Sequence, residues 1–327
     1  MSGKRNEDLR QHDFNGLMKT QNPLEASEYA RLTGLDGKWR ETWWRKDFLE
    51  FIANRCELGR VERMLDVGCG AGHWSRALSQ VLPSSLLIAG IDIEQKFVDR
   101  SMELGAAFGL SNTDYKLGSG ELIPYGDSSF DLVTCQTVLI HVRDPSTVLK
   151  EMQRVLKPGG TLLLAEPNNL VGYFNMLLAE PRPEWPLIHI LLDFYQTCLQ
   201  GKKELGMGDS SVGERLPNLV AQMGFEQVRV AVNENCPALV PPYSTEEQKI
   251  ECEFLKNCIT SDAWLGFGPR QNALRFYKAG GGRDADFDNL WSQAMLNQKN
   301  ILAALESKTY SGSRGVLMYL ISAKKAG

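Results

Sequence analysis

Three glycines at alternating positions, Gly68, Gly70 and Gly72, follow an apolar stretch that carries one acid, Met64-Leu65-Asp66-Val67. Glycines at the end of a strand let the backbone turn tightly and let a ligand come within contact distance. Two nucleotide readings compete for such a loop. A dinucleotide fingerprint wants a third glycine at position 73, where His73 stands; a phosphate loop wants Gly-Lys-Ser/Thr, which does not follow. Asp66, directly before the loop, repels a phosphate and suits a cationic head such as an α-amino group. A second acid ends the next apolar run, Ala89-Gly90-Ile91-Asp92-Ile93. A carboxylate at that strand end can accept both hydroxyls of a ribose. The ligand that unites an amino-acid head near Asp66 with a ribose near Asp92 is S-adenosylmethionine.

These residues need a scaffold that brings two strand ends together. Between 62 and 166 short, nearly continuous apolar runs alternate with helical stretches. The runs are 64–67, 86–91, 115–117, 130–134 and 161–165. Continuity of that kind suits strands buried on both faces. Val148, Leu149, Met152, Val155 and Leu156 share one helical face. Asp144 before Pro145 suits the start of that helix, and Lys157-Pro158-Gly159-Gly160 suits its stop. Such alternation predicts a parallel α/β sheet. A further helix, a Gly224 stop and the strands 228–232 and 316–321 follow. Residues 233–314 are too many for a loop and must hold structure of their own. Helices are expected at 246–258 and 287–305, with Gly280-Gly281-Gly282 as a break between them. Residues 1–55 read as polar and then helical, with Tyr29, Trp39, Trp43, Trp44, Phe48 and Phe51 packing as a cap.

The chain resembles the class I S-adenosylmethionine-dependent methyltransferases, in the small-molecule group called methyltransferase type 11 or 25. The likeness spans 62–166. It rests on 65–72, on Gly90-Ile91-Asp92-Ile93, on 118–125, on Ser129-Phe130-Asp131-Leu132-Val133, on 138–145 and on Arg154-Val155-Leu156-Lys157-Pro158-Gly159-Gly160. It implies a Rossmann-like, doubly wound, seven-stranded and mostly parallel sheet. A helical cap over 1–55 would precede a methyltransferase domain over 56–327, with a lid at 171–212 and a helical insertion at 233–314. It implies S-adenosylmethionine as cofactor, with Asp66, Gly68, Cys69, Gly70 and Gly72 around its methionine part. Asp92 would take the ribose, Ile93 the adenine face, Ser119 and Gly120 the adenine edge, and Gln136 the amino-acid end. Ser119 departs from the family, which often places an acid there.

His141 is the best-placed titratable residue, a candidate base just past the fourth strand; local packing is the alternative. Asn168 or Asn169 could orient an acceptor or simply stabilise a turn. His73 is read as a first-turn helix residue facing solvent or sheet. Cys69 and Cys135 lack a paired base and read as small packing residues. The run 173–177 with Trp185, His189 and Tyr195 is read as the core of a lid rather than an acceptor pocket.

The 327 residues, 43% hydrophobic and 23% charged, describe an ordinary globular protein. A net charge of −4 gives no basic surplus, so no nucleic-acid partner is expected. No apolar run approaches the roughly 20 residues of a membrane span. The polar start, Met1 to Asp8, has no apolar signal core. Seven scattered cysteines without a C-x-x-C point to a reducing cytoplasm, and four distant histidines give no metal spacing. The first expectation is a cytoplasmic enzyme that methylates O, N or C of a small organic acceptor. Alternatives are a protein or RNA methyltransferase, or a non-catalytic cofactor-binding subunit. The insertion is either part of the acceptor lid or the surface of a homodimer.

Overall fold

The computed structural model describes residues 38–234, 236–259, 263–313 and 315–327. The cap expected over 1–55 therefore lies partly outside the described residues, Tyr29 included.

The apolar runs pair as strands β1 (Arg63–Val67), β2 (Leu87–Asp92), β3 (Thr113–Leu117), β4 (Phe130–Gln136), β5 (Leu156–Pro167), β6 (Phe225–Val232) and β7 (Met318–Lys325). They form one seven-stranded sheet in the order β3-β2-β1-β4-β5-β7-β6. All neighbours are parallel except β7, which runs antiparallel between β5 and β6. Leu65, Val67, Val133, Cys135, Leu162 and Leu164 are fully buried, as continuous apolar strands require. Each buried Leu or Val side chain contributes about 1.5–3 kcal/mol. The chain leaves β1 outward to β2 and β3, then returns to lay β4 and β5 on the other side. Loops leaving the carboxyl ends of β1 and β4 therefore diverge and open a crevice, the place where ligands bind in open α/β sheets.

The connecting helices are α1 (Lys38–Glu41), α2 (Lys46–Arg55), α3 (His73–Ser79), α4 (Gln95–Phe108) and α5 (Pro145–Val155). Asp144 caps α5 by accepting the Ser146 N–H at 3.0 Å. Val148, Leu149, Met152 and Val155 of α5 lie at most 1% exposed against the sheet. The Lys157–Gly160 turn is a bulge in β5: Leu156 pairs with Phe130, and pairing resumes at Thr161 with Leu132.

A second layer follows: α6 (Asn169–Leu177), α7 (Trp185–Glu204), α8 (Leu216–Gln222), α9 (Glu246–Ile259), α10 (Arg270–Ala279) and α11 (Asp284–Glu306). All of these except α8 share their own hydrophobic core, built around Tyr173, Phe194, Tyr195, Trp264 and Phe287. Helix α10 was not anticipated. The glycine run separates α10 from α11, rather than α9 from α11. Gly201 of α7 explains how α7 and α10 cross so closely, since a Cβ there would fall 1.6 Å from the Phe276 carbonyl oxygen. Phe51, expected in the cap's packing, is 52% exposed; Trp43, Trp44 and Leu49 fill that role. Among the described residues no helix is long and apolar enough to cross a membrane, and no group of acids, histidines or cysteines could hold a metal ion.

Candidate functional site

β1 carries Asp66 and the glycine loop into the crevice. Gly68, Gly70 and Gly72 hold φ values of 66°, 52° and 74°, the left-handed region that a Cβ opposes. At Gly68 space is limiting too: a Cβ would lie 2.5 Å from Val138 Cγ2. The loop is tied down from several sides. The Cys69 N–H donates to the Ile91 carbonyl at 2.9 Å. Buried Arg76 donates to the Ala71 carbonyl at 2.6 Å and pairs with Glu41 of α1 at 2.7 Å. The cap is thereby stitched to the loop.

Asp66 is completely buried. Its Oδ2 accepts from the Ser75 hydroxyl at 2.7 Å, while Oδ1 has no hydrogen-bond partner among the described residues. Burial pushes this carboxyl up to about 7, and the nearby charge of Asp92 adds to the rise. A buried carboxylate oxygen without a donor is costly unless a cation meets it, so the residues present fit an ammonium group. Asp92 ends β2 half-buried and accepts the Gly70 N–H at 2.9 Å and the Glu94 N–H at 3.1 Å. Burial raises its carboxyl as well. Each of its oxygens has a further lone pair to offer. Half-buried Ile93 follows it. The Gly118 N–H donates to the Asp92 carbonyl at 2.8 Å. Ser119 is buried and its hydroxyl accepts the Glu121 N–H at 3.1 Å. Gly120 lies against Val67, 3.0 Å from where a Cβ would sit. Asp66, the glycine loop, Asp92, Ile93, Ser119 and Gly120 thus stand together at neighbouring strand ends. Cys69 joins them through its backbone; its buried thiol lies 3.1 Å from where a Cβ of Gly90 would sit, and burial raises its pKa.

Gln136 ends β4 on the cap side. Its Oε1 accepts from Trp44 Nε1 at 3.2 Å, and its Nε2 is buried without a hydrogen-bond partner among the described residues. His73 is buried rather than solvent-facing, with its ring edge-on to Trp43 at 6.2 Å. Burial, reinforced by the charges of Arg40 and Arg76, lowers His73 to about 3, so it is neutral.

The turn after β4 is built by Glu166, fully buried at the end of β5. Its carboxylate accepts the N–H groups of Val138 at 2.8 Å, Leu139 at 2.9 Å and Ile140 at 3.3 Å. Burial raises it to about 7. The same turn sets Val138 against Gly68 and ends in His141. Burial holds the His141 imidazole well below its usual range, and the cations of Lys202 and Arg40 push it further down. The ring is neutral at physiological pH, and those cations oppose its protonation. Asn168 caps α6 through the Val171 N–H at 3.1 Å and donates to Glu214, a structural role. Asn169 opens α6, and its N–H donates to the Ser210 carbonyl at 3.1 Å. Tyr173 and Tyr195 stack at 3.9 Å inside the helical core, and Trp185 and His189 are exposed. Cys135 is buried beside Glu166 and its thiol is raised.

Sequence reasoning missed Glu166 as an organiser and Arg40 and Lys202 as charges around His141. Only Glu166 carried a signal, its place at a strand end of the binding face.

A methyltransferase-domain family model matches residues 65–164. A demethylmenaquinone methyltransferase of Geobacillus kaustophilus is 33% identical over 211 residues, which cover 63% of this chain and 86% of that protein. One from Oceanobacillus iheyensis is 32% identical over 149 residues, 45% of this chain and 61% of that protein. Among solved structures, the YcgJ protein of Bacillus subtilis aligns at 20% identity and a TM-score of 0.46, covering 85% of this chain and 98% of that one. The glycine loop, the paired acids and the strand order agree with the family model and the demethylmenaquinone methyltransferase relatives: the chain belongs to the class I S-adenosylmethionine-dependent methyltransferases.

Proposed function

We propose that the enzyme methylates a small organic acceptor enclosed between the Val138–His141 turn and the helical layer. The observation that carries this reading is how that layer is seated. Gly208, just past α7, sits on the His141 turn so closely that a Cβ would lie 2.2 Å from the Ile140 carbonyl oxygen. On the opposite flank Trp39 of α1 stacks on Phe254 of α9 at 3.6 Å and donates to Glu251 at 2.5 Å. Walls on both flanks of the crevice exclude water and suit a small acceptor better than a folded protein. The relatives' name makes a demethylated menaquinone one acceptor to assay.

S-adenosylmethionine supplies a methyl group already activated on a sulfonium, so positioning and desolvation can provide most of the catalysis. Asp66 would hold its amino group, with the backbone of Gly68, Cys69, Gly70 and Gly72 against the methionine part and Gln136 nearby. Asp92 would take the ribose, Ile93 the adenine face, and Ser119 with Gly120 the adenine edge. His141 would touch the acceptor. Its cationic surroundings favour a neutral hydrogen-bonding role over that of a base that must become charged.

Asp92→Ala is expected to weaken cofactor binding by about 1–3 kcal/mol, the range for hydrogen bonds to a charged group. Calorimetric titration checks this, and unchanged affinity would remove Asp92 from the ribose site. His141→Gln keeps a hydrogen-bonding group and is expected to lower turnover by no more than about tenfold. A loss of about a hundredfold or more would instead restore general-base catalysis. The acceptor reading is tested by methyl transfer from methyl-labelled S-adenosylmethionine into cell extract. Label in small molecules supports it; label only in protein or RNA overturns it.

A further inference from the structure

We infer that Lys202 binds an anionic oxygen of the acceptor, which is therefore an ionised hydroxyl compound or an organic acid. The inference rests on the small-acceptor reading above. Around the end of α7 the basic side chains are sorted unequally. Asp209 receives both Lys203, at 3.1 Å, and Arg215, at 2.8 Å. Lys202 receives no carboxylate among the described residues; its Nζ donates to the neutral Ser210 hydroxyl at 3.0 Å. The backbone of Ser210 in turn accepts the Asn169 N–H that opens α6. Gly208, two residues earlier, rests on Ile140 and His141. Lys202 thus stands where α7, the start of α6 and the His141 turn meet, at the carboxyl edge of β4 and β5.

The helix dipole favours a cation in the last turn of α7. Lys203 obtains that benefit from the exposed side, so the dipole does not explain half-burying Lys202. The cations of Arg40 and Lys202 both act on His141 here; the acids nearby are already engaged, Glu166 by the N–H groups of Val138, Leu139 and Ile140 and Asp209 by Lys203 and Arg215. Half-buried, the Lys202 ammonium is lowered to about 8 by desolvation, and no acid among the described residues pairs with it. A charge withdrawn from water without a counter-ion is expensive unless a ligand supplies one. An anionic acceptor oxygen would complete the pair and would lie beside the neutral His141 ring.

The test uses the full chain and small-molecule extract separated on an anion exchanger at about pH 11, where phenols, enols and acids are ionised. Each fraction is offered with methyl-labelled S-adenosylmethionine to wild type, Lys202→Met and Lys202→Arg. S-adenosylhomocysteine binding is measured calorimetrically on all three. The acceptor is expected in the retained fraction. Lys202→Met is expected to raise the KM for it by about tenfold or more, with S-adenosylhomocysteine affinity unchanged, and Lys202→Arg to recover part of the loss. If Lys202→Met does not fold, the KM of Lys202→Gln decides in its place. An acceptor in the unretained neutral fraction, or a wild-type KM in the variant, overturns the inference alone. Label confined to protein or RNA instead removes the small-acceptor reading beneath it.

Discussion

Asp66→Asn is expected to weaken S-adenosylmethionine binding by about a hundredfold and to stabilise the free protein at neutral and alkaline pH. The loss follows from geometry. Oδ1 is buried and has no partner among the described residues, so an ammonium there gains a charge-assisted bond in a dry site, and a hundredfold corresponds to about 2.7 kcal/mol. An amide in the same place meets the ammonium with a dipole at best. The gain in stability follows from burial. The Asp66 carboxyl is raised from 3.8 to about 7 and that of Glu166 from 4.5 to about 7. Between these limits the folded chain binds protons that the unfolded chain has lost. Stability of the free protein therefore falls as pH rises from about 4 to about 7 and is lowest above that window. Asparagine removes the Asp66 part of that slope. Cofactor binding runs the opposite way, because an ammonium needs the ionised carboxylate: affinity should rise with pH through about 7 in the wild type and lose that rise in the variant. Thermal unfolding across pH and calorimetric titration read the two effects separately. Equal cofactor affinity in Asp66→Asn would remove this residue from the amino-group site.

Glu166→Ala is expected to destabilise the protein by about 3–5 kcal/mol, the range for breaking a buried charged network. Three backbone N–H groups, of Val138, Leu139 and Ile140, lose their acceptor together. Each buried donor left alone costs about 1–3 kcal/mol, and relaxation of the turn keeps the sum below the simple total. The damage should reach the cofactor as well. Val138 in that turn abuts Gly68, and His141 closes it. Glu166→Gln separates the parts. Its amide oxygen can still accept from Val138 and Leu139, while its NH2 faces the Ile140 N–H. A smaller loss of about 1–3 kcal/mol is expected. Chemical denaturation with and without S-adenosylhomocysteine measures both variants. An alanine variant as stable as wild type would mean that the turn stands on its own hydrogen bonds.

Much of the sheet was legible because its signals are local. Continuous apolar runs mark doubly buried strands wherever they occur, and the Gly68–Gly72 pattern marks a left-handed turn whatever its neighbours. Asp144 before Pro145 announces its own helix. The weaker readings failed where the signal was not local. Helix α10 carries a sparse apolar face, with only Ala273, Phe276 and Tyr277 buried, and its partner α7 lies far away in sequence. Phe51 looks like core by type and is exposed because α2 presents Leu49, Ile52 and Ala53 to the protein instead.

Read alone, then, the order of residues specified the strands, the loop that can cradle a ligand and the two acids at adjacent strand ends, since each depends on near neighbours in the chain. Only the tertiary structure decided that Trp44 donates to Gln136, that Glu166 organises the turn leading to His141, and that the Lys202 ammonium acts on His141 while bonded to the neutral Ser210 hydroxyl. Those relations join residues tens of positions apart. They turn on burial and on which charges face each other, properties of the folded surroundings that no stretch of sequence carries by itself.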